Sequence, residues 1–154
     1  MRVKEVMTSD PVCCTPETSL RDVARMMVQH DCGEIPIVES MSGRKLAGVI
    51  TDRDIACRAV AEGKDPASTQ ASECMSSPVV TANEDDSLDD CCNLMERHQV
   101  RRIPVVDASG RCCGIVAQAD VAKKSSKRLV GEVVREVSRP TDTPMKIETR
   151  SELR

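Results

Sequence analysis

The chain has no aromatic residue: Phe, Tyr and Trp are missing from all 154 positions. Leu, Ile, Val, Met and Cys must therefore fill whatever core it has. The absence also counts against single-stranded nucleic-acid binding, which relies on aromatic stacking platforms. Long apolar runs are missing too. No stretch of about 18 residues is apolar enough to span a bilayer, and Met1-Arg2-Val3-Lys4-Glu5 lacks a signal-peptide core. A soluble, cytoplasmic protein without membrane contact is expected. Strong charge of one sign is lacking as well. The net charge is -3, which gives no general attraction to DNA, RNA or anionic lipid.

Cysteine is plentiful, at nine residues. The count is odd, Cys13-Cys14, Cys91-Cys92 and Cys112-Cys113 are adjacent pairs, and no export signal precedes them. Reduced thiols with a packing role are expected rather than a disulfide framework. No Cys-x-x-Cys or His-Glu-x-x-His spacing is present, so no metal site is assigned.

The most informative feature is a duplication. Val3-Lys4-Glu5-Val6-Met7 recurs about 68 residues later as Ala71-Ser72-Glu73-Cys74-Met75. The stripe Leu20, Val23, Ala24, Met26, Met27 recurs as Leu88, Cys91, Cys92, Leu94, Met95. His30 recurs as His98, and Ile35-Pro36-Ile37-Val38 as Ile103-Pro104-Val105-Val106. Gly48 to Asp54 then matches Gly114 to Asp120. Two copies of this size are expected to pack face to face, with ligand clefts between related surfaces.

Each copy reads β-α-β-β-α. Val12 to Cys14 and Val79 to Thr81 are expected as short leading strands. Ser19 and Ser87 precede the apolar stripes, with Asp22 and Asp90 three residues on, the mark of a helix start. The two helices end near His30 and His98, where a cation suits the C-terminal dipole. Ile35 to Val38 and Leu46 to Thr51 form a hairpin, as do Ile103 to Val106 and Cys112 to Ala117. The two hairpin loops differ by two residues, which keeps every strand side chain on its own face. Second helices start at Asp52 and near Gln118. The expected organisation is a first repeat over 1–62, a linker over 63–70 and a second repeat over 71–124. A C-terminal helix over 125–138 and a disordered tail over 139–154 complete it.

The string Met7, Asp10-Pro11-Val12, Ser19-Leu20, Gly33-Glu34-Ile35-Pro36-Ile37-Val38 and Gly48-Val49-Ile50-Thr51-Asp52-Arg53-Asp54-Ile55 resembles a CBS domain. The second copy carries the same framework through Ser77-Pro78-Val79, Ser87-Leu88, Ile103-Pro104-Val105-Val106 and Gly114 to Asp120. The chain is identified as similar to tandem CBS proteins (Bateman modules) of the stand-alone two-domain type. The resemblance implies an α/β (α+β) fold with two repeats about a pseudo-twofold axis, associating as a homodimer. It also implies regulatory binding of AMP, ADP, ATP or a related adenosine compound, reported to a partner. No cofactor is expected.

By this resemblance, Thr51 and the following helix N-terminus face a phosphate, and Asp54 accepts from the ribose hydroxyls. Arg53 adds a phosphate contact, Ile35 and Pro36 wall the base after Gly33, and backbone near Cys13 and Cys14 reads the adenine edge. In the second cleft, formed by Val79, Val80, Arg101, Arg102, Ile103, Pro104 and Asp120, Ala117 replaces the hydroxyl. The missing bond is worth roughly 1.5–3 kcal/mol, so this cleft is expected to be the weaker one.

Plainer readings stand beside these. Thr51 and Asp54 also suit a helix cap, Ile35-Pro36 an edge strand, and the arginines a solvated face. A metal- or redox-responsive stress protein using Cys and His is the alternative function. Catalysis is not expected, because no nucleophile–base pair, phosphate-cradling glycine loop or paired carboxylates occur.

Overall fold

The computed structural model describes residues 1–125 and 127–140; the remainder of the expected tail, 141–154, lies outside them. The elements are β1 (Thr8–Ser9), α1 (Leu20–His30), β2 (Glu34–Val38), β3 (Leu46–Thr51) and α2 (Asp52–Ile55). There follow β4 (Ala82–Asn83), α3 (Leu88–His98), β5 (Arg102–Val106), β6 (Cys112–Ala117), α4 (Gln118–Lys124) and α5 (Lys127–Val137). A wider turn, Ala56–Val60, prolongs α2.

The repeat is obeyed in its helix caps and hairpin registers. Ser19 and Ser87 cap α1 and α3 by accepting from the Asp22 and Asp90 N–H groups. Both helices end at a left-handed residue, Asp31 or Gln99. In the hairpins Val38 pairs Leu46 and Val106 pairs Cys112, each just after a register shift. The two-residue difference between the loops is absorbed without inverting a face, as the alternation requires. The leading strands differ from expectation. The first is reduced to one bridge, Cys14 to Ile37. The second is Ala82–Asn83, running parallel to Val105–Val106, because the Ala82 position is what the repeat aligns with Cys14.

The copies exchange their opening segments. β1 pairs with β6 of the second copy, Thr8 opposite Ile115 and Ser9 opposite Gly114, giving a four-stranded sheet in the order β1-β6-β5-β4. In the mirror arrangement, Ser76 bridges Val49 of β3. Backbone bonds repeat the exchange: Val3 N donates to Asp86 O and Leu88 N to Met1 O, while Ala71 N donates to Thr18 O and Leu20 N to Thr69 O. Val3 and Val6 are buried in the second copy's core, against Leu88, Met95 and Ile103. Ala71 and Cys74 are buried in the first, against Leu20, Ile35 and Ile50. Neither core is complete without residues of the other repeat. This matches the limited core that a unit of about 60 residues builds alone. α5 adds Val133 and Val137 to the second core.

Gly48 and Gly114 permit the crossings. A Cβ on Gly48 would lie 2.9 Å from Ser76 O and 2.8 Å from Met75 Sδ. On Gly114 it would press on Met7 Sδ and sit 3.2 Å from Thr8 O. Gly48→Ala is therefore expected to destabilise the fold by about 1–3 kcal/mol through overpacking, measurable by urea denaturation. A neutral Gly48→Ala would mean that the crossing segment does not rest on β3.

Candidate functional site

A cavity of about 360 Å³ opens where the two copies meet. Its walls come from the exchanged N-terminal segment (Thr8, Asp10, Pro11, Val12), the α1–β2 connection (His30, Asp31, Cys32, Glu34) and the second copy (Arg102, Ile115, Ala117, Asp120). Its volume is within the ~300–1,000 Å³ range of small-ligand sites. Asp120 lies in the first turn of α4, directly after β6. Its Oδ2 accepts from Ala117 N at 2.8 Å. Among the described residues Oδ1 takes no hydrogen bond, so it is free to accept one.

Glu34 and Arg102 are the same position in the two copies, with opposite charge. Both line this cavity near the pseudo-twofold axis. A Cβ on Gly33 would lie 3.5 Å from Arg102 Nη1, so the guanidinium reaches across to the first repeat. Glu34 Oε2 is buried without a hydrogen-bond partner among the described residues. Burial pushes the Glu34 carboxyl up to about 7; Arg102 opposes the rise and the Asp54 carboxylate adds to it.

The site around Thr51 and Asp54 is arranged differently. Thr51 Oγ1 accepts from Asp54 N at 3.1 Å, and Asp54 Oδ2 accepts from Thr51 N at 2.9 Å. Asp54 is only 6% exposed. Arg58 Nη1 lies 3.7 Å from Asp54 Oδ1 and donates to Cys74 O at 3.1 Å and Ser76 Oγ at 3.1 Å. The arginine thus spans the space that, at the related position, is open beside Thr8 and Asp120.

The expected first-cleft residues are dispersed. Cys14 gives its N–H to Pro36 O and accepts from Val38 N, so no Cys14 backbone group remains to read a base. The Cys13 thiol is buried with Val38 and Cys112. β2 places both cysteines near Val38, whereas Thr51 pairs with Glu34 at the other end, about 10 Å away at ~3.3 Å per residue. Ile35 is fully buried in the core and Pro36 is buried as well, because β2 is covered on both faces. Neither offers a wall. Arg53 is exposed. Thr51 and Asp54 remain together, and Gly33 sits beside the Arg102 guanidinium.

The second-cleft set divides as well. Arg102 and Asp120 share the open cavity. Ile103 is in the core, Pro104 is buried, and Val80 packs against the second core. Arg101 is exposed, its carbonyl accepting from Gln118 N. Val79 lines a separate cavity of about 360 Å³ with Leu46, Val106 and Gly110. In the related place on the other side, Arg44 fills the space by donating to Pro11 O and Cys112 O. Gly110 occupies the position of Arg44, both with positive φ, and has no side chain to do the same.

Thr8, Asp10, Pro11, Val12, His30, Asp31, Cys32, Glu34 and Ile115 also line this cavity and were not among the expected site residues. The available signal was the Glu34/Arg102 exchange of charge at one repeat position, which marks an encounter on the axis. Ala117 leaves α4 without a side-chain N-cap bond, unlike Thr51 at α2. Ala117→Thr is expected to supply that cap and raise stability by about 1 kcal/mol. An unchanged urea midpoint would show that the α4 start is not a limiting element.

Among the described residues no helix is long and apolar enough to cross a membrane, and no group of three or more His, Cys, Asp or Glu is placed to hold a metal ion. The CBS domain family model matches residues 3–59 and 71–127. The CBS domain-containing protein YhcV of Bacillus subtilis is 39% identical over 137 residues, covering 88% of this chain and 94% of the relative. A crystal structure of Hypoxic Response Protein I with two coordinated zinc ions superposes with a TM-score of 0.74 at 33% identity, over 82% of this chain and 100% of that one. The CBS domain pair of protein MJ0100, solved with 5-methylthioadenosine and S-adenosyl-L-methionine, gives 0.71 at 32% identity, over 80% and 98%. Duplicated sequence, exchanged opening segments and these likenesses agree: the chain belongs to the CBS-domain family and carries two CBS domains as a pair.

Proposed function

We propose that this CBS pair is a regulatory module that binds an adenosine compound in the inter-repeat cavity and reports its occupancy. The observation that carries the reading is a cavity walled by both repeats, with Asp120 in the first turn of α4. An Asp there accepts from ribose hydroxyls, and Thr8, Pro11, Val12 and Ile115 surround the remaining volume. The adenosine compounds bound by the similar MJ0100 pair support the ligand class. On this reading the stronger site is at Asp120, and Asp54 offers only a site that requires Arg58 to move. The module regulates a partner, or acts through a dimer with a second copy of the chain. Exposed Val28 on α1 (82%) and Val60 (65%) supply apolar surface for that dimer.

Calorimetric titration with AMP, ATP and S-adenosyl-L-methionine, in chelator and reductant, tests the ligand class. One adenosine compound per chain is expected. Binding that appears only when zinc is supplied would favour the metal-responsive alternative, and no binding would remove the nucleotide reading. Sedimentation tests the assembly. A dimer that Val28→Glu weakens is expected, and a monomer throughout would contradict it.

A further inference from the structure

The two repeats meet at a second place, away from the cavity. β1 lies along β6, and the pairing continues past it with Asp10 N donating to Cys113 O at 3.1 Å. The chain then turns so that Cys13 of the first repeat is buried with Cys112 of the second. These thiols are 4% and 2% exposed. Arg44 holds both ends of the contact. Its Nη2 donates to Cys13 Sγ at 3.3 Å and to Pro11 O at 3.1 Å, and its Nε donates to Cys112 O at 3.1 Å. Backbone closes the arrangement, with Cys112 N donating to Arg44 O at 2.8 Å. The pseudo-symmetric place has no counterpart: Leu46 stands for Cys112, Gly110 for Arg44, and no cysteine lines its cavity. Packing alone does not call for a guanidinium against a buried sulfur.

We propose that Cys13 and Cys112 form a reversible disulfide that joins the two repeats when the protein meets a peroxide. The Cys13 sulfur is the attacking atom. Its thiol is held below the ordinary range by the hydrogen bond from Cys112, against burial and with help from Arg44, while Cys112 is held above it by that same bond. Burial pushes the other buried thiols up and keeps them protonated: Cys14 to about 12, Cys91 to about 12 and Cys92 to about 11, with Cys74 raised as well.

The steps balance with hydrogen peroxide as oxidant. The Cys13 thiolate attacks one peroxide oxygen, the O–O bond breaks, and hydroxide leaves and takes a proton as water. The Cys112 sulfur then attacks the sulfenic sulfur of Cys13. Its own proton goes to the departing hydroxide, which leaves as a second water. Two thiols lose two electrons and one peroxide gains them. The bond closes a loop of about 100 residues, which lowers the entropy of the unfolded chain.

The test uses the full, reduced chain exposed to a few equivalents of hydrogen peroxide, alkylated and mapped by mass spectrometry without reductant. A cross-link between the peptides carrying Cys13 and Cys112 is expected. It should persist in Cys14→Ala and Cys113→Ala and vanish in Cys13→Ser and Cys112→Val. The oxidised chain should melt about 10 °C higher, and dithiothreitol should reverse the shift. Arg44→Gln, which leaves both thiols in place, should slow the cross-link roughly tenfold. Thiols that survive peroxide, a cross-link that survives Cys112→Val, or oxidation confined to adjacent cysteines would each overturn the proposal.

Discussion

Replacing Asp120 by Ala is expected to weaken binding of an adenosine compound by about tenfold to a hundredfold while the chain stays folded. The carboxylate is the one charged acceptor that β6 and α4 jointly bring to the cavity, and a lost hydrogen bond to a charged group costs roughly 1.5–3 kcal/mol. Asp120→Ala also removes the bond to Ala117 N, so Asp120→Asn is the sharper comparison. Asn keeps an oxygen for that N–H but gives up the charge and the second acceptor. Both variants should lose affinity, whereas only Asp120→Ala should lose about 1 kcal/mol of stability. Asp54→Ala should do the reverse. Asp54 is buried and tied to Thr51 N and Arg58, so its removal lowers the melting temperature more than it lowers affinity. Calorimetry and denaturation on all three variants separate the roles. Equal affinity for wild type and Asp120→Asn would move the ligand away from α4.

The second large effect concerns Glu34 and pH. Burial raises its carboxyl from 4.5 to about 7, so the folded state holds a proton that the unfolded chain has released between those values. Stability from this group is fully present below about pH 4.5 and is lost as pH rises through 7. A rise of this size corresponds to about 3.5 kcal/mol at roughly 1.4 kcal/mol per pH unit. Glu34→Gln is neutral at every pH and keeps the shape. It should therefore stabilise the protein at pH 8 by about that amount, leave it nearly unchanged at pH 4.5, and flatten the dependence between. Urea midpoints for both proteins across this interval provide the check. A parallel pair of curves would mean that Arg102 neutralises Glu34 fully.

Much of the framework was legible in the sequence because it depends on local signals repeated twice. Ser19 and Ser87 caps, the apolar stripes and the hairpin registers are decided by residues close in the chain. The exchange of Thr8–Ser9 and Ser76 between copies was not, since nothing in Val3 to Met7 says which copy's core will receive Val3 and Val6. That exchange explains why the residues expected to share a cleft lie apart in the fold. Pro11 and Val12 belong beside Asp120 of the other repeat, while Cys13 and Cys14 turn inward at the Val38 end of β2. Ile35-Pro36 reads as a surface wall only if β2 has one free face, and it has none. The side-chain blockade by Arg58 and the space left by Gly110 are long-range facts of packing, visible only once both copies are placed.

Methyl NMR of the reduced chain during titration with the tightest-binding adenosine compound tests the central claim most directly. Val12 and Ile115, which both line the Asp120 cavity, should shift together and saturate at one equivalent. Leu46 and Val106, in the separate cavity beside Gly110, should stay still. Shifts centred on Leu46 and Val106, or no saturable shift at Val12 and Ile115, would contradict the account.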